Sequence, residues 1–386
     1  MREKDRKALE ALARARPDAL DPTRLAGSAR QQQDLVDIMS SARTRGATRR
    51  VVARRRMLVP AVGLAAAAAV AIGAVAVGIG QHRGTQTASP DGHLMLLTMA
   101  ASVQNEATSG DYWQYQTQSQ NLDLIQPVKA KDGSGNTLPY VVAETARNDW
   151  SIGVKPGEQS LMVSQLNEMR GPWTAEDIHR WMMAGSPPTV YADAGFDRGT
   201  YEVPIGGGQP IVNRTNYGAK IVAVGPNNVS YDYLRNLPSD QEELEHTLVE
   251  LYPRTKDSDA GDEANWMFNQ VTGLITLPVS NAVRAAAYRV LANLPGISSL
   301  GTVTDPLGRT GVAVALPAIS TGDLGKQQQQ LIVDPGTNTI LSQQIVLVEP
   351  SQLAEQAGMK AGTVLNYTAT THIGWTNQQI PLPTTP

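Results

Sequence analysis

Apolar and polar positions along the chain fall into three regimes. In residues 1–56 the apolar side chains recur at helical spacing but sparsely. One helix is predicted over Glu3–Arg16, stopping before Pro17. A second follows Asp21-Pro22, an N-cap with proline at the first helical position, and carries Leu25, Ala29, Val36 and Met39. Neither is long or apolar enough to fold alone. From Met57 to Gly80 the periodicity gives way to 24 residues without a charged or strongly polar side chain. As a helix this run reaches roughly 36 Å, against a hydrocarbon core of about 30 Å. A helix also satisfies its own backbone hydrogen bonds in lipid. One transmembrane helix is therefore predicted over 57–80, with residues 1–56 as a basic helical arm.

After a polar linker, 81–91, residues 92–386 mix both periodicities. A helix is predicted over His93–Ala107 with Leu94, Leu97, Met99 and Ala101 inward. Alternating aromatic and polar residues from Tyr112 to Ser119 predict a strand. Tyr140–Ile152 and Ser160–Asn167 read as paired strands around Lys155-Pro-Gly. Thr174 is a candidate N-cap, with Asp177 completing a capping box for a helix to Met183. Residues 185–227, rich in Gly and Pro, read as a surface excursion. Three helices follow: one capped by Ser239 and running to about Tyr252, then Asp262–Leu277, then Val279–Leu294. Strands are predicted at Thr310–Leu316, Gln328–Val333, Ile340–Val348 and Thr363–Ile373. Strands, then helices, then a meander imply an α+β domain, an antiparallel sheet covered by helices on one face.

Charge changes the picture. The formal net charge of -3 averages a +8 arm, residues 1–56, and a -11 remainder. Arg49, Arg50, Arg54, Arg55 and Arg56 crowd one end of the apolar run, and only Arg83 lies close to the other. By the positive-inside rule the N-terminus is cytoplasmic and the C-terminal domain extracytoplasmic. The same arginines suit anionic headgroups rather than direct nucleic-acid binding. A cleaved export signal is the rival reading, because Arg54-Arg55-Arg56 precedes the apolar run. Against it stand the run's length and the 56 residues before it. The absence of cysteine leaves the domain to hold by packing.

Candidate chemistry is sparse. No nucleophile elbow, Walker loop, zinc-protease motif or dinucleotide fingerprint occurs, and Gly206-Gly207-Gly208 reads as a plain loop. Neither catalytic residues, metal ligands nor a cofactor are expected, and the protein is read as no enzyme. His246 and Glu250 share a helix face as a solvated pair. Asp257-Ser-Asp-Ala-Gly-Asp-Glu lacks the spacing of a calcium loop and reads as an acidic helix cap. Arg309 is expected to brace its hairpin through Asp305, with a ligand-carboxylate clamp as the alternative. Tyr112, Trp113, Tyr115, Trp150 and Trp181 are candidates for lining an apolar groove, with ordinary core as the alternative.

Four segments carry a resemblance: Leu237-Pro-Ser-Asp-Gln-Glu-Glu-Leu, Asp305-Pro-Leu-Gly-Arg-Thr-Gly-Val-Ala-Val, Leu331-Ile-Val-Asp-Pro-Gly-Thr-Asn-Thr-Ile-Leu and Gly362-Thr-Val-Leu-Asn-Tyr. Together they resemble an uncharacterised actinobacterial single-pass membrane family that often accompanies extracytoplasmic-function sigma factors. More distantly, the external part is similar to curved-sheet lipoprotein-carrier and sigma-regulator sensor domains, which implies that the sheet is curved. The resemblance implies an actinobacterial source and a regulatory neighbourhood. With the layout of arm, span and external domain it leads to the expectation of a domain that senses or binds envelope lipid, lipoprotein or peptide, and an arm that reports to a sigma factor or anchors near it. A zinc-type arm is excluded because residues 1–56 hold neither His nor Cys. The alternative is a membrane-anchored structural envelope protein with no signalling role.

Overall fold

The computed structural model describes residues 90–103, 109–133, 135–193, 199–252, 262–320 and 322–383. The arm, the arginine cluster and the apolar run 57–80 lie outside the described residues. Among the described residues no helix is long and apolar enough to cross a membrane.

The domain is α+β and is built on one curved, antiparallel sheet. In chain order it has α1 (Pro90–Ser102), β1 (Tyr112–Ile125), β2 (Tyr140–Gly153), β3 (Gln159–Pro172), α2 (Ala175–Met183), β4 (Thr189–Asp193), β5 (Thr200–Pro204), β6 (Gly206–Gly207) and β7 (Ile211–Asn216). Next come β8 (Val222–Val224), β9 (Asn227–Val229), α3 (Tyr231–Arg235), α4 (Gln241–Glu250), α5 (Glu263–Ile275) and α6 (Asn281–Asn293). The chain closes with β10 (Ser298–Thr304), β11 (Thr310–Ala315), β12 (Ile319–Ser320), β13 (Gly325–Asp334), β14 (Thr339–Pro350), α7 (Gln352–Gln356) and β15 (Val364–Thr376). The sheet path is β10-β11-β13-β14-β15-β1-β2-β3-β6. The first described strand thus sits mid-sheet beside the last, which closes the domain between its two ends.

Helix starts follow side-chain chemistry. Thr174 and Asp177 form the expected capping box on α2. Asp240, not Ser239, caps α4: its carboxylate accepts from the Glu242 and Glu243 amides at 2.9 and 3.1 Å. A carboxylate cap also answers the helix dipole, which a hydroxyl cannot. Asp262 caps α5 and Ser280 caps α6. On α1 the inward face is Leu96, Met99, Ala100 and Val103, whereas Leu94 is 64% exposed. The observed stripe follows i, i+3, i+4, i+7: of the four expected positions Met99 is buried and Leu97 packs against the core, whereas Leu94 and Ala101 face outward.

The main core lies between one face of the sheet and α1, α4, α5 and α6. It includes Trp113, Ile152, Val314, Leu331 and Val333 from strands and Leu244, Phe268, Val271 and Tyr288 from helices. Buried Arg284 closes the α5 end: Nε donates to the Ile275 carbonyl at 3.0 Å and Nη2 to that of Leu277 at 3.2 Å. Its guanidinium lies 4.8 Å from the Trp113 ring centroid, so one cation serves both the helix terminus and an aromatic face. Residues 185–227 are not merely a surface excursion. Val190, Ala192 and Val203 build a second cluster with Ile125, Tyr140 and Val142, and Val222 and Val224 join the main core. Gly199, Pro204, Pro210, Gly218 and Gly225 interrupt the segment, so it folds as short strands.

Candidate functional site

Strand register assigns the faces. On the helix-covered face Trp113 lies opposite Ile152, Tyr115 opposite Trp150, Thr117 opposite Asn148 and Asn121 opposite Glu144. Between the helix-packed core and the β4–β5 cluster this face turns polar. One row runs Asn366–Asn121–Glu144–Arg170 across β15, β1, β2 and β3. The next rows pair Ser119 with Thr368 and Thr117 with Thr370. The Thr368 hydroxyl and the Trp150 indole N–H are buried without a hydrogen-bond partner. Buried polar atoms normally find one, so this belt is chemically unusual for a sheet interior.

At its β3 end three carboxylates gather round one guanidinium. Arg170 Nε meets Glu144 Oε2 at 3.1 Å, and its Nη2 donates to Glu168 Oε1. Gln165 Nε2 donates to the same Glu168 oxygen at 3.0 Å. Asp123 Oδ1 accepts from Asn121 Nδ2 at 2.7 Å and from the Tyr201 hydroxyl. The Glu168 side chain is only 2% exposed. Burial pushes its carboxyl up to about 7, with Glu144 adding to the rise and the Arg170 charge opposing it. Glu144 and Glu168 meet the same guanidinium, so the like charge of Glu144 favours the neutral form of the buried Glu168 carboxyl. Among the described residues no group of three or more carboxylates or imidazoles is placed to hold a metal.

The local chain explains how Glu168 reaches this position. Gln165 and Asn167 adopt φ of 57° and 53°, and the β2–β3 register slips between Thr145 and Arg147. This bulge breaks the ladder, after which Glu168 and Arg170, two residues apart, share a face. Gly206 and Gly207 pair with Arg170 and Met169, and the Gly208 amide donates to the Glu168 carbonyl at 3.0 Å. A Cβ on Gly208 would overlap Glu168 Oε2 and stand 2.9 Å from its Cδ. The triple glycine is therefore an edge strand whose missing side chain makes room for the buried acid. The run of three glycines was the only local signal; no motif links Asp123, Glu144, Glu168, Arg170 and Tyr201, which come from four strands.

The five aromatic candidates do not form one surface. Trp113, Tyr115 and Trp150 share the helix-covered face. Trp113 is core, its Nε1 donating to the Thr276 carbonyl at 2.8 Å and its ring edge-on to Trp375 at 5.0 Å. Burial pushes the Tyr115 hydroxyl up to about 12. Tyr112 points to the opposite face and bonds Glu158. Trp181, on α2, packs with the β4–β5 cluster and donates to the Pro187 carbonyl at 3.1 Å.

Arg309 is committed to structure. Nε donates to Asp305 Oδ2 at 2.9 Å, Nη1 to the Thr370 carbonyl at 2.6 Å and Nη2 to the Leu341 carbonyl at 2.7 Å. It fastens the β10–β11 turn onto β14 and β15, which leaves no ligand clamp. His246 and Glu250 lie 3.7 Å apart, both largely exposed. No family model, no characterised protein and no solved structure matches the chain.

Proposed function

We propose that the chain is a single-pass membrane protein. On this reading its extracytoplasmic α+β domain senses or binds envelope material, and its basic arm reports to a cytoplasmic sigma factor. The observation that carries this reading is the charge discontinuity around Met57–Gly80: five arginines crowd one side of an uncharged span, and an acidic domain follows on the other. Nine residues, 81–89, separate Gly80 from the start of α1 at Pro90, a tether short enough to keep the domain near the membrane surface. The polar belt supports a binding or sensing role over a purely structural one. Its partnerless buried atoms and crowded carboxylates cost stability that a scaffold has no reason to retain. The envelope ligand is a lipid, lipoprotein or peptide.

Protease treatment of intact cells tests sidedness: residues beyond 81 should be cleaved and the arm protected. Co-purification of the full-length protein with a sigma factor, lost on deleting residues 1–45, tests the reporting role. Membrane retention with no sigma factor under any condition would favour the structural-anchor alternative.

A further inference from the structure

We propose that a single proton held by the Asp123–Glu144–Glu168–Arg170 cluster fastens the Gly206–Gly208 strand onto β3, and that its loss releases that strand. The sheet edge is then a clasp that reads the acidity outside the cell. The proposal rests on the extracytoplasmic reading above for its biological input, though not for its chemistry.

The charged and titratable groups facing Glu168 are Glu144 from β2 and Arg170 from β3. Asp123 from β1 is next, reached through Arg170, and Tyr201 from β5 in turn bonds Asp123. The Gly206–Gly208 segment contributes backbone alone. With all three acids ionised, one guanidinium answers three negative charges. One added proton on Glu168, the buried member of the cluster, removes a like-charge repulsion with Glu144. The acid that titrates near neutrality is thus the one wedged under the strap.

Losing that proton leaves an anion that must hydrate or move. Gln165 and Arg170 hold its Oε1, and Glu144 repels it. Oε2 faces Gly208, which offers only backbone to the carboxylate, and the strap is itself partly exposed, Gly207 most of the three. That backbone is weakly held. Gly206 and Gly207 pair with two residues of β3, one amide bonds the Glu168 carbonyl, and no side chain of the three glycines packs anywhere. Such segments open at low local cost. Water reaching Oε2 therefore displaces the strap before it disturbs the long strands.

The test is deuterium uptake by the full-length protein in detergent, read on peptides covering 202–210 and corrected for the intrinsic pH dependence of exchange. Between about pH 5.5 and about pH 8, protection of the Gly206–Gly208 amides should fall about tenfold, the coupling of one pH unit. Peptides from β13 and β14 should not change. Glu168→Gln, which keeps the shape and the neutral state, should stay protected at both values. If Glu168→Gln does not fold, Glu144→Gln should shift the transition to lower pH by removing the repelling charge. Equal wild-type protection at the two pH values, or an unaltered transition in either variant, overturns the proposal. Uptake is measured on purified protein, so a failure here is separable from a failure of sidedness in cells.

Discussion

Replacing Gly208 by alanine probes the cluster with one methyl group. The new carbon would occupy the position of Glu168 Oε2 and lie 2.9 Å from Cδ and 3.2 Å from Cβ of the same side chain. Either the carboxylate, the far end of a flexible side chain, swings away, or the weakly held strap lifts and gives up the 3.0 Å bond from the Gly208 amide to the Glu168 carbonyl. Gly208 is not among the positive-φ glycines, so alanine meets no backbone strain and the cost is steric. On the first route the departing carboxylate breaks a charge-assisted hydrogen bond to Arg170, about 1.5–3 kcal/mol, and one from Gln165, about 1 kcal/mol. Part of this returns as relief of the desolvation that lifts the Glu168 carboxyl to about 7. A net loss of about 2 kcal/mol is expected. In a Glu168→Ala background the methyl enters vacated volume and its cost should drop to about 0.5 kcal/mol or less. Urea unfolding of wild type, both single variants and the double variant near pH 6 measures the coupling. An additive cycle, within about 0.5 kcal/mol, would refute the placement of Glu168 beneath Gly208.

Other outcomes follow from the same contacts. Arg309→Ala leaves the fully buried Asp305 side chain with only the Leu307 and Arg309 amides as donors, and should cost about 2–3 kcal/mol in unfolding free energy. Arg309→Lys cannot serve Asp305 and both carbonyls at once and should recover only part of it. Stability should vary with pH through Glu168. Its folded value of about 7 lies above the ordinary carboxyl range, so the folded state holds a proton that the unfolded chain releases near 4.5. That contribution is fully present below about pH 4.5 and is lost as pH rises through about 7, by at most ~1.4 kcal/mol per unit. The unfolding midpoint should fall across that window in wild type and vary less in Glu168→Gln. Asp240→Ala removes the carboxylate oxygen that accepts from two amides at the start of α4 and should lower stability by about 1 kcal/mol; an unchanged melting curve would contradict the cap.

Much of the architecture was legible because it rests on short-range rules. The strand from Tyr140, the meander from Thr310 and the α5 and α6 helices lie within a few residues of their predicted bounds. Period-2 and period-3.6 patterns report directly on which face is buried. On α1 the expectation holds at Leu97 and Met99 and fails at Leu94, because Leu94 and Leu96 are equally apolar and contact with α6 and β10 decides which turns inward. Residues 185–227 were misread because five-residue strands barely exceed the noise of a turn-rich segment. The acid cluster was invisible for a different reason: Asp123, Glu144 and Glu168 each look like a solvated strand residue. Only the register of β1, β2 and β3 brings them to one guanidinium.

By itself the chain determines its segregation of charge, the uncharged run between arm and domain, the α+β order and most helix caps, because each depends on neighbours within about one turn. Tertiary structure alone decided which face of the sheet the helices cover. It also carried the Arg309 brace beyond its own hairpin to the Leu341 and Thr370 carbonyls, and turned three glycines into the wall of a buried acid site. Those outcomes depend on pairings between residues tens to hundreds of positions apart. Side-chain pKa and packing are properties of that assembled neighbourhood, not of any local sequence.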